Sequence, residues 1–245
     1  MALGMFVGIP LPFHFWDEKF APLMVASIPL VGVVIGALWW LAGSALIALG
    51  LPIMLTAAAL TVAPFFIAGF IHLDGYMDTS DALLSCRPLE EKIRILKDPR
   101  VGAFAVVMLG ILFMLQFAAM YTIAENGRYL ALLISIAVIS RCCSALSILV
   151  LRHIPQSNYA PVLAQGIELS HKIFISATAL AAAAFSFLYA GLSGLIVVSA
   201  VVSGYAWAMR AAYKGFDGIS GDLLGYSLVI GELCGLIALA VLQDM

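Results

Sequence analysis

The sequence predicts an all-α fold, a polytopic integral membrane helical bundle of about seven transmembrane helices with one short cytoplasmic amphipathic helix. Of the 245 residues, 64% are hydrophobic and 11% are charged, whereas soluble domains carry roughly 25% charged residues. The mean hydropathy is +1.10. Helices are the expected form of long apolar runs in lipid, because they satisfy their own backbone hydrogen bonds. We therefore expect residues 1–245 to form a single transmembrane domain.

Seven apolar runs approach or exceed the roughly 20 residues that a membrane-spanning helix needs. The second run contains Pro52 and Pro64, which predict a kink or a partly re-entrant path. A turn near Ala190 and Gly191 separates the fifth and sixth runs and predicts a tight helical hairpin. Six or eight spans stay open, because glycine- and proline-rich runs are hard to delimit. The runs are 23–42, 45–70, 102–124, 129–151, 173–190, 193–212 and 223–243.

The segment before the first span, GIPLPFHFWDEKF, is amphipathic and aromatic. Such segments lie in the interface between the headgroups and the acyl chains. We expect this one to lie there rather than to span the bilayer.

Basic residues lie almost entirely on one side of the seven-span arrangement. Ten of them fall in or next to the segments 1–22, 71–101, 152–172 and 213–222, and the opposite side has only Arg128. This bias predicts that the four segments are cytoplasmic, in a multi-pass protein of the inner or plasma membrane of the cell. The net charge of −2 gives no bulk attraction for nucleic acid, so the bilayer is an expected partner and nucleic acid is not. The ten residues are Lys19, Arg87, Lys92, Arg94, Lys97, Arg100, Arg152, Lys172, Arg210 and Lys214.

Three carboxylates, Asp74, Asp78 and Asp81, cluster in the string HLDGYMDTSDALL. Spacings of four and three residues put them on one face of a helix, within roughly 10 Å along its axis. Like charges on one stripe repel each other, and a divalent cation removes that cost. Oxygen ligands without cysteine favour Mg²⁺, Mn²⁺ or Ca²⁺, and Mg²⁺ is usually shared with substrate phosphates. The motif therefore indicates phosphate chemistry at a membrane surface; the alternative is a solvated helix start.

The next polar stretch, EEKIRILKDPRVG, has its charged and apolar residues at helical spacing. It predicts the amphipathic helix, from about 88 to 97, lying on the membrane. Lys97 and Arg100 follow at the bend into the next span. They are candidates for contacts with substrate phosphates, with ordinary solvation beside the membrane as the alternative.

A glycine-rich acidic motif, KGFDGISGDLLGY, begins the last span on the same predicted side. Glycine lets backbone approach a ligand closely, and N–H groups at a helix start bind phosphate, which makes Gly221 a candidate ligand contact. Asp222 lies near the first turn. It is either an N-cap or part of one site shared with the first acidic motif.

Two charges lie deep inside predicted spans. Arg141 and Glu232 are each about ten residues from the cytoplasmic end of their helix, which is roughly 15 Å. An unpaired charge at that depth is costly and marks function, so we expect the two to form an ion pair or to share a polar cluster. His72, directly before the acidic motif, is a candidate base or phosphate contact, or else a structural histidine of the interface.

These motifs together resemble the cobalamin synthase family. The string HLDGYMDTSDALL followed by KDPRVGAF is similar to the family signature. Further matches follow the family order along the chain: FVGIPLP near the start, PLVGVVIGA at 29–37, Ser140-Arg141, and SGDLLG at 220–225 with Glu232. Three positions depart from the family pattern. Ala82 and Asp217 stand where glycine is common, and Val229 stands where many members carry a further glutamate.

The resemblance implies a reaction. Members of this family, the adenosylcobinamide-GDP ribazoletransferases, join adenosylcobinamide-GDP to α-ribazole or its 5′-phosphate. They release GMP and form adenosylcobalamin or its 5′-phosphate in the last steps of cobalamin biosynthesis, with Mg²⁺ as cofactor. The implied partners are thus the corrinoid nucleotide and α-ribazole, and a homo-oligomer or a complex with pathway enzymes stays open.

The motifs and the resemblance together give each candidate residue an expected role in a single transmembrane catalytic domain. The expected Mg²⁺ ligands are Asp74, Asp78, Asp81 and Asp222. The candidate catalytic residues, one of which would accept the attacking hydroxyl proton, are His72, Asp78 and Asp81. The expected substrate-binding residues are Lys97, Arg100, Gly221, Arg141 and Glu232.

The same residues bear on three other functions. A CDP-alcohol phosphotransferase also uses clustered aspartates, but its usual signature has an Ala-Arg pair soon after Asp-Gly, which this chain lacks. A cation transporter would carry its acids within the membrane, and here only Glu232 is deep. A purely structural subunit would not need such clustered charge.

Overall fold

A computed structural model describes residues 1–8, 17–154 and 168–243, and within these ranges the chain is helical apart from turns and one isolated β-bridge. This confirms the all-α prediction. Most of the predicted interfacial segment GIPLPFHFWDEKF lies outside the described residues. The helices are α1 (Ala2–Phe6), α2 (Ala21–Ala26), α3 (Ile28–Ala48), α4 (Ile53–Ala68), α5 (Ile71–Leu84), α6 (Leu89–Leu96), α7 (Ala103–Asn126), α8 (Leu132–Val150), α9 (Leu169–Phe216) and α10 (Gly221–Gln243).

Five stretches of the described chain are long and apolar enough to cross a membrane: α2 with α3, then α7, α8, α9 and α10. The pair α4 and α5, bent by 97°, makes a sixth if it is one broken span. Polytopic helical membrane architecture is therefore confirmed. The predicted division at residues 42–45 is wrong, because α3 continues to Ala48 and ends where Gly50 takes a positive φ of 66°.

Helix α9 is two helices joined at Gly191. Its 48 residues would extend roughly 72 Å at 1.5 Å per residue, more than twice the roughly 30 Å hydrocarbon core. Gly191 breaks the helix with φ 59° and ψ −137°. Gly194 then lies against the backbone carbonyl of Ser186, so the chain reverses. The predicted hairpin near Ala190 and Gly191 is confirmed. The two arms of α9 correspond to the predicted spans 173–190 and 193–212, and α4 (Ile53–Ala68) lies within the predicted span 45–70, while α5 falls in the segment predicted to be cytoplasmic. The count of seven spans stays a prediction, since five or six helices of the described chain pass as spans by length and composition.

The acidic motif lies on α5, which begins after a sharp bend. Gly69 and Phe70 both have left-handed backbone, with φ values of 71° and 64°. Helix α5 then packs its apolar face against α7 and α10. Tyr76 stacks on Tyr226 with ring centroids 5.8 Å apart and donates a hydrogen bond to the Met108 carbonyl at 3.1 Å. These contacts fix the rotation of α5 and so the direction of its carboxylates.

The predicted amphipathic helix is α6. It runs from Leu89 to Leu96, within the predicted range 88–97, and its residue Leu96 is buried while Glu90 and Arg94 are exposed. Helix α6 therefore joins α5 to α7 and covers one edge of the site.

Candidate active site

The three aspartates of the first motif lie on one helix, as predicted. Asp74 is exposed, whereas Asp78 and Asp81 are partly buried. Asp78 lies at the centre of the group, because Asp74, Asp81 and Asp222 all act on it electrostatically. A solvated helix start accounts for Asp74, which lies in the first turn of α5. It does not account for Asp78 and Asp81, which lie one and two turns further along.

Gly75 brings the two acidic motifs together. A Cβ built on Gly75 would lie 2.8 Å from the Cα and from the carbonyl oxygen of Asp222. On the facing helix, a Cβ on Gly225 would lie 3.2 Å from the carbonyl oxygen of His72. Glycine at both positions therefore allows α5 and α10 to touch through their backbones. The expectation that both motifs share one site agrees with this packing.

The start of α10 is capped by Ser220 rather than by Asp222. The Leu223 N–H donates to Ser220 Oγ at 3.4 Å, and Ser220 Oγ lies 3.5 Å from the Asp222 carboxylate. The turn before it is held by the bridge between His153 and Ile219, in which Ile154 N donates to Ile219 O at 3.0 Å. Ser220 is therefore the N-cap of α10, and Asp222 lies inside its first turn.

Asp81 lies at the other end of the motif, against Gly102. A Cβ on Gly102 would collide with the Asp81 carboxylate. Gly102 is the N-cap of α7, so the carboxylate lies at the N-terminus of a 24-residue helix, where the helix dipole favours negative charge. Asp81 is therefore held in place by α7, while Asp78 and Asp74 face the start of α10.

The donor set fits Mg²⁺ in its chemistry. Four carboxylates from α5 and α10 supply oxygen atoms alone, and their mutual repulsion leaves a charge for a cation to neutralise. In the part of the chain that the structure describes, no three His, Cys, Asp or Glu side chains already converge as a metal-binding group. Mg²⁺ usually takes only one or two carboxylates together with water and substrate phosphates, so the arrangement suits an ion that arrives with its substrate.

A cavity of about 400 Å³ lies beside the acidic cluster. It is bounded by α1, α3, α5, α6, α8, the 153–154 turn and α10, and most of its wall is apolar. Asp222 belongs to both the cavity and the cluster, whereas Asp74, Asp78 and Asp81 do not line the cavity. The predicted site residues that line it are His72, Lys97, Arg141, Gly221 and Asp222.

Arg141 and Glu232 form the predicted buried ion pair. Arg141 Nη1 lies 2.7 Å from Glu232 Oε1, and the two residues are 2% and 7% exposed. Ser140 Oγ donates a second hydrogen bond to the same carboxylate oxygen at 2.9 Å. Arg141 Nε is buried without a hydrogen-bond partner among the described residues. Because Arg141 also lines the cavity, the pair holds a cation at the cavity wall.

Lys97 and Arg100, predicted together as phosphate contacts, are placed differently. Lys97 lines the cavity. Arg100 is exposed and engages Asp98 through two side-chain hydrogen bonds of 2.9 and 2.7 Å. The Arg100 guanidinium lowers the pKa of the Asp98 carboxyl to about 2, so this pair persists at neutral pH. A phosphate role for Arg100 stays a prediction that would require it to leave Asp98.

Several cavity residues were not predicted. Phe6 stacks on His72 with ring centroids 6.2 Å apart, and Ser144, His153 and Ser220 line the wall. Ser144 is three residues from Arg141, about one turn along α8, so its place on the same helix face could have been predicted from the sequence. The positions of Phe6 and His153 could not, because they depend on how distant segments pack.

Known proteins are similar to this chain over almost its whole length. A family model described as "Cobalamin-5-phosphate synthase" matches residues 1–240.

The chain belongs to the cobalamin-5-phosphate synthase family.

This match confirms the resemblance that the motifs indicate. Because the family is one of synthases, the chain is an enzyme. Relatives named adenosylcobinamide-GDP ribazoletransferase include a Clostridium botulinum protein, 37% identical over 96% of this chain and 94% of its own length. A Clostridium perfringens protein is also 37% identical, over 99% and 96%. A Pseudomonas savastanoi protein is 33% identical over 87% and 86%. No solved structure matches the chain.

The structure shows the environment of each residue that departs from the cobalamin-5-phosphate synthase pattern. Asp217 has a left-handed φ of 53°, a conformation that glycine adopts at the least cost and that Asp tolerates. Ala82 and Val229 are buried in the apolar cluster that packs α5 against α7 and α10.

Proposed function

We propose that this chain is an adenosylcobinamide-GDP ribazoletransferase that uses Mg²⁺ to join adenosylcobinamide-GDP to α-ribazole or its 5′-phosphate, with release of GMP. The observation that carries the proposal is the name of relatives at 37% identity over almost the whole chain. The geometry of the site supports it, because Asp222 joins the carboxylate cluster to a cavity whose wall also carries the cations Lys97 and Arg141.

The reaction is phosphoryl transfer at a diphosphate. A ribose hydroxyl of α-ribazole attacks the phosphorus attached to the corrinoid arm. A P–O bond forms to that hydroxyl oxygen, the bond to the bridging oxygen breaks, and GMP leaves with the electron pair. Catalysis of this class depends on positioning and on charge neutralisation, so the residues that hold the diphosphate matter most.

Asp74, Asp78, Asp81 and Asp222 are the residues proposed to hold Mg²⁺. When bound, the ion would neutralise charge on the diphosphate oxygens. Asp222 belongs to this group of carboxylates and also lines the cavity, so it links the two.

Lys97 and Arg141 would orient phosphate oxygens inside the cavity, and the backbone N–H groups at Gly221 offer further donors. Glu232 acts through Arg141, whose guanidinium it holds in place. Of the three candidate proton acceptors, His72 is the one whose side chain lines the cavity, so we assign it as general base.

The proposed setting is the cell membrane, with the site facing the cytoplasm. The ten-to-one bias of basic residues supports this orientation. We assign no surface of this protein to a partner enzyme of the pathway or to a second copy of the chain.

The test is product analysis with purified protein in nanodiscs. Given adenosylcobinamide-GDP, α-ribazole and Mg²⁺, the protein should release GMP and form an equal amount of cobalamin. Release of CMP from a CDP-alcohol would instead favour the rival phosphotransferase. Ion flux without nucleotide release would favour a transporter.

A further inference from the structure

We infer that the 400 Å³ cavity is the binding site of the acceptor nucleoside, α-ribazole or its 5′-phosphate, and that the corrinoid and the guanine lie outside it. This inference rests on the proposed function and goes further, since it assigns one of the two substrates to one place in the fold. Three features of the cavity carry it: its size, the nature of its wall and the position of its charges.

The size of the cavity excludes the corrinoid. Small-molecule sites range over roughly 300–1,000 Å³, and this cavity is at the lower end of that range. One nucleoside with a phosphate is of this size class. A corrin macrocycle with its amide arms and nucleotide tail is several times larger. The corrinoid must therefore bind mostly outside the cavity, with its diphosphate presented at the mouth.

The wall distinguishes between the two nucleosides of the reaction. Guanine carries several hydrogen-bond donors and acceptors on its ring edges, and burying such groups without partners is unfavourable. The benzimidazole base of α-ribazole has one free ring nitrogen as a hydrogen-bond acceptor and is otherwise apolar. Most of the cavity wall is aliphatic, contributed by residues such as Val31, Ile148, Ile154 and Leu228. Phe6, stacked on His72, adds an aromatic surface. Such a wall suits the apolar base.

The charges of the cavity match the other end of an acceptor nucleoside. Arg141 lines the cavity and is 2% exposed. Its guanidinium is held by Glu232 through Nη1 at 2.7 Å, so the pair places a cation at the cavity wall, where a phosphate is attracted. Lys97, on the α6 side, supplies a second cation. We therefore place the 5′-phosphate of the acceptor at these two cations of the wall.

This placement also orients the attacking hydroxyl. His72 lies on α5, two residues before Asp74, and Asp222 packs against Gly75 of the same helix. Both residues line the cavity. A nucleoside with its base among the aliphatic residues and its phosphate at Lys97 and Arg141 presents its ribose toward Asp222. The acceptor and the metal-held diphosphate would then meet at Asp222.

The experiment measures binding of radiolabelled α-ribazole by equilibrium dialysis against the full-length protein in nanodiscs, without corrinoid. Leu228→Phe, which fills the cavity, should raise the Kd for α-ribazole by about tenfold or more and leave the Kd for adenosylcobinamide-GDP within about twofold. Leu228→Ala, which keeps the cavity open, is the matched variant and should change the Kd for α-ribazole far less. GMP in excess should not displace α-ribazole.

The phosphate end is tested on the same protein. Lys97→Gln should raise the Kd for α-ribazole 5′-phosphate by about tenfold and leave the Kd for α-ribazole itself unchanged. Lys92→Gln removes the same charge from α6, the helix that ends directly before Lys97. Lys92 does not line the cavity, so this variant should alter neither Kd. Retained binding of adenosylcobinamide-GDP by Leu228→Phe shows that this variant is folded.

Two outcomes would overturn the inference: Leu228→Phe weakens adenosylcobinamide-GDP and spares α-ribazole, or GMP competes with α-ribazole for the cavity. Failure of the proposed function is a separate result, because it would appear as absence of GMP release by the wild-type protein with both substrates present.

Discussion

Gly75 of α5 lies against the backbone of Asp222 at the start of α10, so closely that a Cβ at position 75 would be 2.8 Å from the Asp222 Cα. The two acidic motifs are separated by more than 140 residues of sequence, and this contact makes them neighbours. The position of Asp222 relative to Asp78 therefore depends on the absence of a Cβ atom at position 75.

Gly75→Ala should separate the two helices. Because the added Cβ meets backbone rather than a flexible side chain, α5 must move, and overpacking of this kind costs roughly 1–3 kcal/mol. We expect GMP release to fall by at least about tenfold, with a lower midpoint of thermal unfolding. Gly110→Ala in α7 is the control, since a Cβ there meets no atom within 4 Å. Equal activity of the two variants would show that the contact does not position the site.

Gly102→Ala should lower activity strongly and stability slightly. The backbone of Gly102, at φ −85° and ψ 165°, accepts alanine, but the new methyl group occupies the place of the Asp81 carboxylate. Asp81 must turn away from the N-terminus of α7 and loses the favourable helix dipole, and alanine is a poorer N-cap than glycine. We expect kcat to fall about tenfold or more, and the thermal unfolding midpoint to fall by roughly 2–4 °C for a loss of about 1 kcal/mol. Unaltered kcat would mean that the position of Asp81 is unimportant to turnover.

The Arg141–Glu232 pair is expected to be essential for folding. Removing one partner of a buried pair leaves an uncompensated charge and costs roughly 3–5 kcal/mol. Arg141→Glu and Glu232→Arg should each lose most folded protein, judged by monodisperse elution and thermal unfolding, and the double swap should recover it. The exposed pair Asp98–Arg100 is the control, because Asp98→Asn should leave unfolding unchanged. No recovery in the double swap would contradict the pairing.

Asp78→Asn should stabilise the protein and inactivate it. Asp78 is repelled by Asp74, Asp81 and Asp222, so removing its charge relieves the cluster when no cation is present. If the relief is about 1 kcal/mol, the unfolding midpoint rises by roughly 2–4 °C, and GMP release is lost. Glu90→Gln on the exposed face of α6 should change neither property. Turnover near the wild-type level at saturating Mg²⁺ would refute an essential role for Asp78.

The sequence predicted those features that depend on local pattern or on depth in the membrane. Helical spacing was enough to place Asp74, Asp78 and Asp81 on one helix. Equal depth in two spans was enough to pair Arg141 with Glu232, because a buried charge requires a partner.

Features that depend on tertiary contact were not predictable in this way. The end of α3 at Ala48 was missed, since an apolar run continues across the turn that Gly50 makes. The contact of Asp81 with Gly102 joins residues across α6 and its turns, and no periodicity encodes it. The separation of Lys97 from Arg100 depends on the local pair with Asp98, which competes with any phosphate.

The central claim is that α5 and α10 supply one metal site, and Mn²⁺ in place of Mg²⁺ tests it directly by electron paramagnetic resonance. Titration of Mn²⁺ into the purified protein with adenosylcobinamide-GDP should give a saturable bound signal. Asp78→Asn and Asp222→Asn should each weaken that same signal by about tenfold or more. Binding of Mn²⁺ by Asp222→Asn at the wild-type level, with loss in Asp78→Asn alone, would show that the two motifs do not form one site.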